Sequence, residues 1–381
     1  MNVPMVSVVM SVFNGMPFLQ EAVDSILRQS FRDLEFIIIN DGSIDESTSI
    51  LDCYQRSDPR VRVLHQVNRG LIQSLNRGCA LAKGKYIARM DADDIALDDR
   101  LLLQVEWMEK HQDIGVLGGS VEWIDSMGKS LGIHTRPGEN DLIRLALAEG
   151  SAFWHPTVLI RRETFLSVGG YRPVVIDAED YDLWLRIADR FDLANLQAVV
   201  LKYRIHSGQV SVRKCKQEAL SALGARAAAL SRMKGDPDPL DSVAEITPKV
   251  LEGLGVSEAV QGAALARHWL TCIRNMCEVG ELSEARGALE TLRSHHLRYA
   301  ENWVISDLRL LEARLFWDQG KFGASFFRAM QALIARPAIL GRPAKSLLEY
   351  VLRARRAKRE IHGSKPKESS GSCCAPARRS L

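Results

Sequence analysis

An α/β fold with a parallel sheet, followed by an all-helical region, is predicted by three observations. Short β-branched runs alternate with helical periodicities through roughly the first ninety residues, the runs end in polar turns, and Ala/Leu-rich helical patterns take over beyond about residue 212. Val6-Ser7-Val8-Val9-Met10-Ser11-Val12 is a dense apolar run closed by Asn14-Gly15, the pattern of a buried strand entering a turn. Over residues 17–29, Leu19, Val23, Ile26 and Leu27 recur at three and four, and Pro17 suits a first helical turn. Residues 34–40 form a second strand that ends at Asp41-Gly42-Ser43. A helix over 45–55, a strand over 61–64, a helix over 71–82 and a strand over 85–90 complete a β-α-β-α-β-α-β alternation. Right-handed crossovers then cover a parallel sheet with helices on both faces. Another helix follows over 98–110, capped by Asp98. Residues 114–130 read as further strands whose chemistry is silent.

In open sheets of this kind, ligands sit beyond the carboxyl ends of the strands. The turns at Asn14-Gly15, Asp41-Gly42-Ser43 and Asp91-Ala92-Asp93-Asp94 all fall there and can share one site. Hard carboxylate oxygens at the last turn suit Mg²⁺ or Mn²⁺, ions that usually serve phosphates. Taken singly, each motif has a plainer reading. Asp41-Gly42-Ser43 is also a strand-exit turn with a helix cap, residues 91–94 are also a solvated loop, and one Asp-x-Asp is expected by chance in this length. Asp180 opens an amphipathic pattern with Leu183, Trp184 and Ile187, where the helix dipole would keep its carboxylate ionised.

The 381 residues suit two units, and a net charge of +3, with basic residues gathered near the C-terminus, disfavours nucleic acid as a partner. Seven scattered cysteines without a Cys-x-x-Cys pair argue against a disulfide scaffold or zinc site and fit a reducing, cytoplasmic setting. The N-terminus has no signal-peptide pattern, and no apolar run approaches the roughly 20 residues needed to span a bilayer.

Six ordered blocks closely resemble the family 2 glycosyltransferases. They are the run from Val6 through Asn14, Ala22-Val23-x-Ser25-Ile26-Leu27-x-Gln29-Ser30, Ile39-Asn40-Asp41-Gly42-Ser43-x-Asp45, Asn68-Arg69-Gly70-Leu71, Ala88-Arg89-Met90-Asp91-Ala92-Asp93-Asp94, and Ala178-Glu179-Asp180-Tyr181-Asp182-Leu183-Trp184. The resemblance covers about residues 4–210. It implies a GT-A fold, a nucleotide-sugar donor, a divalent metal (Mg²⁺ or Mn²⁺) and inversion at the anomeric centre. Asp41 matches the base-binding aspartate and Arg69 a residue near the nucleotide, with Asn14, Gly42 and Ser43 on the same donor side. Asp91 and Asp93 match the ribose-diphosphate and metal motif, Asp93 as main ligand, with Asp94 in support. Asp180 matches the catalytic base. Glu179 either caps its helix or binds acceptor, and His155, in Phe153-Trp154-His155-Pro156, either lines the acceptor side or is structural. Tyr203-Arg204-Ile205-His206-Ser207 resembles a stretch in which a histidine approaches the metal or diphosphate; the alternative for His206 is an exposed loop histidine.

The implied function is transfer of a single sugar to a hydroxyl of a glycan or lipid-linked acceptor in polysaccharide or surface-glycan synthesis. Processive members carry transmembrane helices and a Gln-x-x-Arg-Trp motif, and neither occurs here. Two other classes stand beside it: a scaffolding protein built on a degenerate GT-A domain, and a sugar nucleotidyltransferase, whose Gly-rich loop is missing from Ser11-Val12-Phe13-Asn14-Gly15-Met16.

The expected organisation is a GT-A domain over 1–212 (nucleotide part about 1–112, acceptor part about 113–212), a helical region over 213–360 and a disordered polar tail over 361–381. Cys277-Glu278-Val279-Gly280-Glu281-Leu282 recurs loosely as Trp317-Asp318-Gln319-Gly320-Lys321-Phe322, a spacing that resembles tetratricopeptide hairpins. Such helices either dock a partner or membrane, or pack as a bundle on the catalytic domain. Arg353, Arg355, Arg356, Lys358 and Arg359 continue an apolar helix containing Leu347, Leu348, Val351 and Leu352; this end either lies on the inner face of an anionic membrane or is solvated. Cys373-Cys374 has no assigned role.

Overall fold

The computed structural model describes residues 3–206, 212–278, 280–295 and 297–336. The predicted alternation is present as β1 (Val6–Val12), α1 (Leu19–Leu27), β2 (Leu34–Asp41), α2 (Ser47–Ser57), β3 (Val61–Gln66), α3 (Leu71–Leu81) and β4 (Tyr86–Met90). β1 runs parallel to both β2 and β4, and β2 runs parallel to β3. Side chains on these strands alternate between two cores, as a period of two requires. Val9, Ile37, Ile39 and Ile87 enter one, and Val8, Met10, Phe36, Ile38 and Ala88 the other. Both faces are therefore buried, which is why the strands read as continuous apolar runs.

Beyond β4 the sheet turns mixed. β5 (Ile95–Ala96), β6 (Ile114–Ile124), β7 (Ser130–His134), β8 (Leu159–Arg161) and β9 (Asp192–Arg204) extend it in the order β3-β2-β1-β4-β8-β6-β9-β5, with β7 on β6. β8 is antiparallel to β4, whereas β6 and β9 are parallel. The α/β sheet with trailing helices matches the predicted class, but full parallelism stops at β4.

α4 (Arg100–Lys110) is not capped by Asp98 as expected: Asp99 is its N-cap residue and makes no side-chain cap bond. The Leu101 amide instead donates to Gln29 Oε1 at 3.0 Å, and Gln29 Nε2 donates to the Leu97 carbonyl at 2.7 Å. A buried glutamine from beyond α1 thus supplies the cap that local sequence cannot reveal.

α5 (Asn140–Leu147), α6 (Arg162–Ser167) and α7 (Glu179–Ala188) accompany the later strands, and α8 (Val212–Met233), α9 (Pro248–Gly253), α10 (Glu258–Glu278) and α11 (Leu282–His295) follow. One compact unit runs to Glu301, and a second begins at Asn302 with α12 (Asn302–Asp318) and α13 (Phe322–Ala335). In the first unit, Leu220, Leu223, Ala225 and Ala228 of α8 join the same core as Val9 and Trp184. Gly280 and Gly320, the paired glycines of the sequence repeat, both adopt positive φ, at 83° and 73°. Each follows a helix end in a left-handed backbone conformation that a Cβ-bearing residue adopts less easily.

Cys215 and Cys272 form a disulfide between α8 and α10, so the expectation of reduced cysteines throughout fails for this pair. The two lie 57 residues apart, and only the packing of the helices brings them together. Among the described residues no helix is long and apolar enough to cross a membrane. The basic stretch 353–359, the tail 361–381 and Cys373-Cys374 lie outside the described residues.

Candidate active site

Because β1, β2 and β4 are neighbours and parallel, their C-terminal turns emerge along one edge of the sheet. The first two turns are laced together. The Asn14 amide donates to Ser43 Oγ at 3.0 Å, the Ile44 amide to Asn14 Oδ1 at 2.9 Å, the Gly15 amide to Ser47 Oγ at 2.9 Å and the Met16 amide to Asp45 Oδ2 at 3.1 Å. Asn14 itself sits in the left-handed region, at φ 53°, which asparagine tolerates better than most residues. Backbone donors that a strand exit would leave open are consumed by short polar side chains, which fixes both turns.

Asp41, almost fully buried at the end of β2, organises a third loop. Its Oδ1 accepts from the Arg69 amide at 2.8 Å and Gln66 Nε2 at 2.7 Å, and its Oδ2 from the Gly70 amide at 2.9 Å. Arg69 therefore joins the edge through its backbone, while its side chain is exposed. Gly42 allows the close approach of that loop: its φ is +78°, and a Cβ there would stand 2.7 Å from the Asn68 amide nitrogen. Gly42→Ala is expected to destabilise the protein by about 1–3 kcal/mol and to weaken nucleotide binding, read by thermal denaturation with and without a nucleoside diphosphate.

At the end of β4, carboxylate oxygens of Asp91, Asp93 and Asp94 all lie within 4.8 Å of one another. Asp94 Oδ1 accepts from the Arg204 amide at 2.8 Å, while its Oδ2 is buried with no hydrogen-bond partner among the described residues. Burial, followed by the charges of Asp93 and Asp91, pushes the Asp94 carboxyl well above the usual range; burial also raises Asp91. Three converging carboxylates with an orphaned oxygen fit a hard divalent cation, which would neutralise the repulsion and occupy that oxygen. His206 Nε2 lies 3.0 Å from Asp93 Oδ2, so the predicted histidine does reach the cluster. Arg204, buried at the end of β9, donates from Nε to the Asp93 carbonyl at 2.8 Å and pairs with Glu21 at 2.5 Å, closing the loop against α1.

Two buried cations lie behind the carboxylates. Arg89, on β4, pairs with Asp91, and Arg100 Nη2 donates to the Arg89 carbonyl at 2.8 Å. Burial depresses Arg100 to about 9; burial works against the charge of Arg89 as well, but the charge and hydrogen bond of Asp91, with the charges of Tyr171 and Asp94, together hold it protonated. Arg89 carries no role in the sequence reading; an arginine inside an apolar strand run was the available signal.

Asp180 is half-buried in the first turn of α7, and its position is held from several sides. Its Oδ1 accepts from the Tyr181 amide at 2.6 Å and its Oδ2 from Ser151 Oγ at 3.3 Å. Asp182, fully buried, pairs with both Arg172 and Arg186, and Tyr181 Oη donates to the Leu147 carbonyl at 2.5 Å. The dipole expected to keep Asp180 ionised is opposed by its surroundings: burial raises its pKa, the Tyr181 hydrogen bond lowers it, and the Glu218 charge raises it further. Glu179, buried beside it, is raised to about 8 by burial and by the Asp180 charge, so it carries a proton at neutral pH. His155 Nε2 and Tyr171 Oη are hydrogen-bonded at 2.8 Å, and burial with the Arg89 charge holds His155 neutral. Asn76 of α3 ties the Tyr171 backbone in place through both its Oδ1 and its Nδ2.

A family model described as Glycosyl transferase family 2 matches residues 7–166. An uncharacterized glycosyltransferase of Haemophilus influenzae is 34% identical over 223 residues, covering 55% of this chain and 68% of that protein. The O-antigen biosynthesis glycosyltransferase WbnJ of Escherichia coli is 34% identical over 209 residues, covering 53% of this chain and 80% of its own length. Among solved structures, a mannosyltransferase of Pyrobaculum calidifontis in complex with GDP-Man and Mn²⁺ aligns over 88% of this chain and 86% of that one, at 18% identity and a TM-score of 0.47.

Proposed function

The chain belongs to glycosyl transferase family 2, and from that membership and the geometry of its strand ends we propose a metal-dependent, inverting glycosyltransferase that moves one sugar per encounter from a nucleotide-sugar to a hydroxyl acceptor. The observation that carries the reading is the convergence of Asp91, Asp93 and Asp94 at the end of β4, beside the laced turns of β1 and β2. Asp93 and Asp91, with Asp94 and His206 adjoining, would hold Mg²⁺ or Mn²⁺; when bound, the ion offsets charge on the departing diphosphate as a Lewis acid.

The chain's own residues carry the remaining roles. A carboxylate accepts about four hydrogen bonds, and Asp41 takes three from its own loop, leaving an Oδ2 position for an N–H of the nucleotide base. Asn14, Gly42, Ser43 and the Arg69 loop form the surrounding wall, and Asp91 reaches the ribose or the metal. Asp180 accepts the proton of the attacking hydroxyl, so a single displacement inverts the anomeric centre without a covalent intermediate. Protonated Glu179 donates a hydrogen bond on the acceptor side, and neutral His155 keeps the floor beneath it in register through Tyr171. The acceptor is a glycan or lipid-linked glycan of a surface polysaccharide, a reading supported by the E. coli relative's role in O-antigen biosynthesis. Thermal-shift titration with UDP-, GDP- and dTDP-sugars in Mn²⁺ tests it: at least one is expected to stabilise the protein, and EDTA is expected to remove the shift. Indifference to all three nucleotides would overturn the proposal.

A further inference from the structure

Between the acidic cluster and Asp180 lies a group of aromatic side chains that the donor chemistry does not use. Trp123 of β6 stacks on His134 of β7 with ring centroids 3.8 Å apart, and Trp154 meets the Trp123 ring edge-on at 5.8 Å. The Tyr203 ring of β9 lies 5.7 Å from that of Trp154, tilted to it by 44°. The Arg136 guanidinium lies over Trp154, 4.3 Å from the ring centroid. All five side chains are only partly buried.

The group is tied to the site at both ends. Tyr203 immediately precedes Arg204, whose amide bonds Asp94, and Trp154 lies three residues beyond Ser151, whose hydroxyl bonds Asp180. Arg136 is also close enough to Asp180 to feel its charge. Three N–H groups in the cluster, Trp123 Nε1, Trp154 Nε1 and Arg136 Nε, have no hydrogen-bond partner among the described residues. Shielded polar groups are normally paired, and these three belong to side chains in contact with one another. Flat, amphipathic rings carrying spare donors match a ligand with an apolar face and a rim of oxygen acceptors.

We propose that Trp123, Trp154 and Tyr203, covered by Arg136, form a subsite for a pyranose ring of the acceptor, so that the group glycosylated is itself a sugar rather than a lipid alcohol or a protein hydroxyl. The inference rests on the assignment of Asp180 as the base, which fixes where the acceptor hydroxyl must arrive. The apolar face of the pyranose takes the place of the guanidinium on Trp154, its oxygens accept from the indole N–H groups, and Arg136 moves aside to the ring edge.

Saturation-transfer NMR on the full chain, loaded with Mn²⁺ and the best-bound nucleoside diphosphate, tests this with the methyl α- and β-pyranosides of glucose, galactose, mannose and N-acetylglucosamine. At least one glycoside is expected to receive saturation, with affinity lowered about tenfold by Trp154→Ala and about threefold by Trp154→Phe, which keeps a ring. Phe326→Ala, on an exposed position of α13, is expected to leave glycoside binding as it was. Nucleotide affinity, measured on every variant, separates loss of the subsite from loss of the fold. Binding of no glycoside by a protein that binds nucleotide, or equal binding by folded Trp154→Ala and Trp154→Phe, would overturn the subsite. Glycoside binding that depends on Trp154 in a protein that binds no nucleotide would uphold the subsite and overturn the wider reading instead.

Discussion

Asp180→Asn is expected to reduce kcat by about 10²- to 10⁴-fold while leaving nucleotide affinity within about twofold, because a positioned general base contributes on that scale and the substitution is nearly isosteric. The asparagine oxygen still accepts from the Tyr181 amide, and Asp182 still fixes α7 through Arg172 and Arg186, so the fold has little reason to change. The pH profile supplies a second mark. A base works only when ionised, and burial lifts Asp180 above its ordinary value, so the acid limb of kcat/KM should lie higher in pH than that of an unperturbed aspartate. A base kept at the usual aspartate value would show its acid limb lower. Full activity of Asp180→Asn would remove Asp180 from the mechanism.

Asp93→Asn is expected to act on both binding and rate. Losing a carboxylate that touches the ion should weaken metal-dependent nucleotide binding by at least about 100-fold, since even the residues that only orient such ligands cost 10- to 100-fold. The metal-free protein should respond in the opposite direction. Asp94 is raised well above its ordinary pKa partly by the Asp93 charge. A raised carboxyl contributes stability at low pH that is lost as pH rises through the raised value, so near neutrality the two carboxylates oppose each other. Removing the Asp93 charge relieves that opposition. Calorimetric melts should therefore show Asp93→Asn melting above the parent protein in EDTA and below it in Mn²⁺ with nucleotide. A variant that melts identically to the parent in both conditions would place the cation elsewhere.

The first four strands and three helices were legible because their signals are local. Val6 through Val12 and Leu34 through Asn40 are buried on both faces, and such strands announce themselves as unbroken apolar runs. Asp41, Asp91, Asp93 and His206 were legible as ordered motifs; the turns after β2 and β4 do emerge along one edge, and His206 reaches Asp93 from beyond β9. The remainder depends on contacts between distant residues. Gln29 caps α4 from about seventy residues away, Arg204 closes the acidic loop from β9, and Cys215 finds Cys272 across two helices. The Asp180 environment was only partly legible for the same reason: the helix start is visible in a sequence pattern, whereas burial and Glu218 on α8 are visible only once the chain is folded. The aromatic group is scattered over β6, β7, β9 and the segment before β8, and none of its members shares a motif with another.

The central claim, that these carboxylates support metal-dependent single displacement at an anomeric carbon, is tested most directly by following the reaction itself. The protein is incubated with whichever UDP-, GDP- or dTDP-sugar it binds, in Mn²⁺, with a panel of glycoside acceptors, and the anomeric configuration of the product is read by proton NMR. Release of nucleoside diphosphate with a product of inverted configuration, abolished by EDTA, is the predicted result. A product that retains the donor's configuration, or transfer at full rate in EDTA, would contradict it.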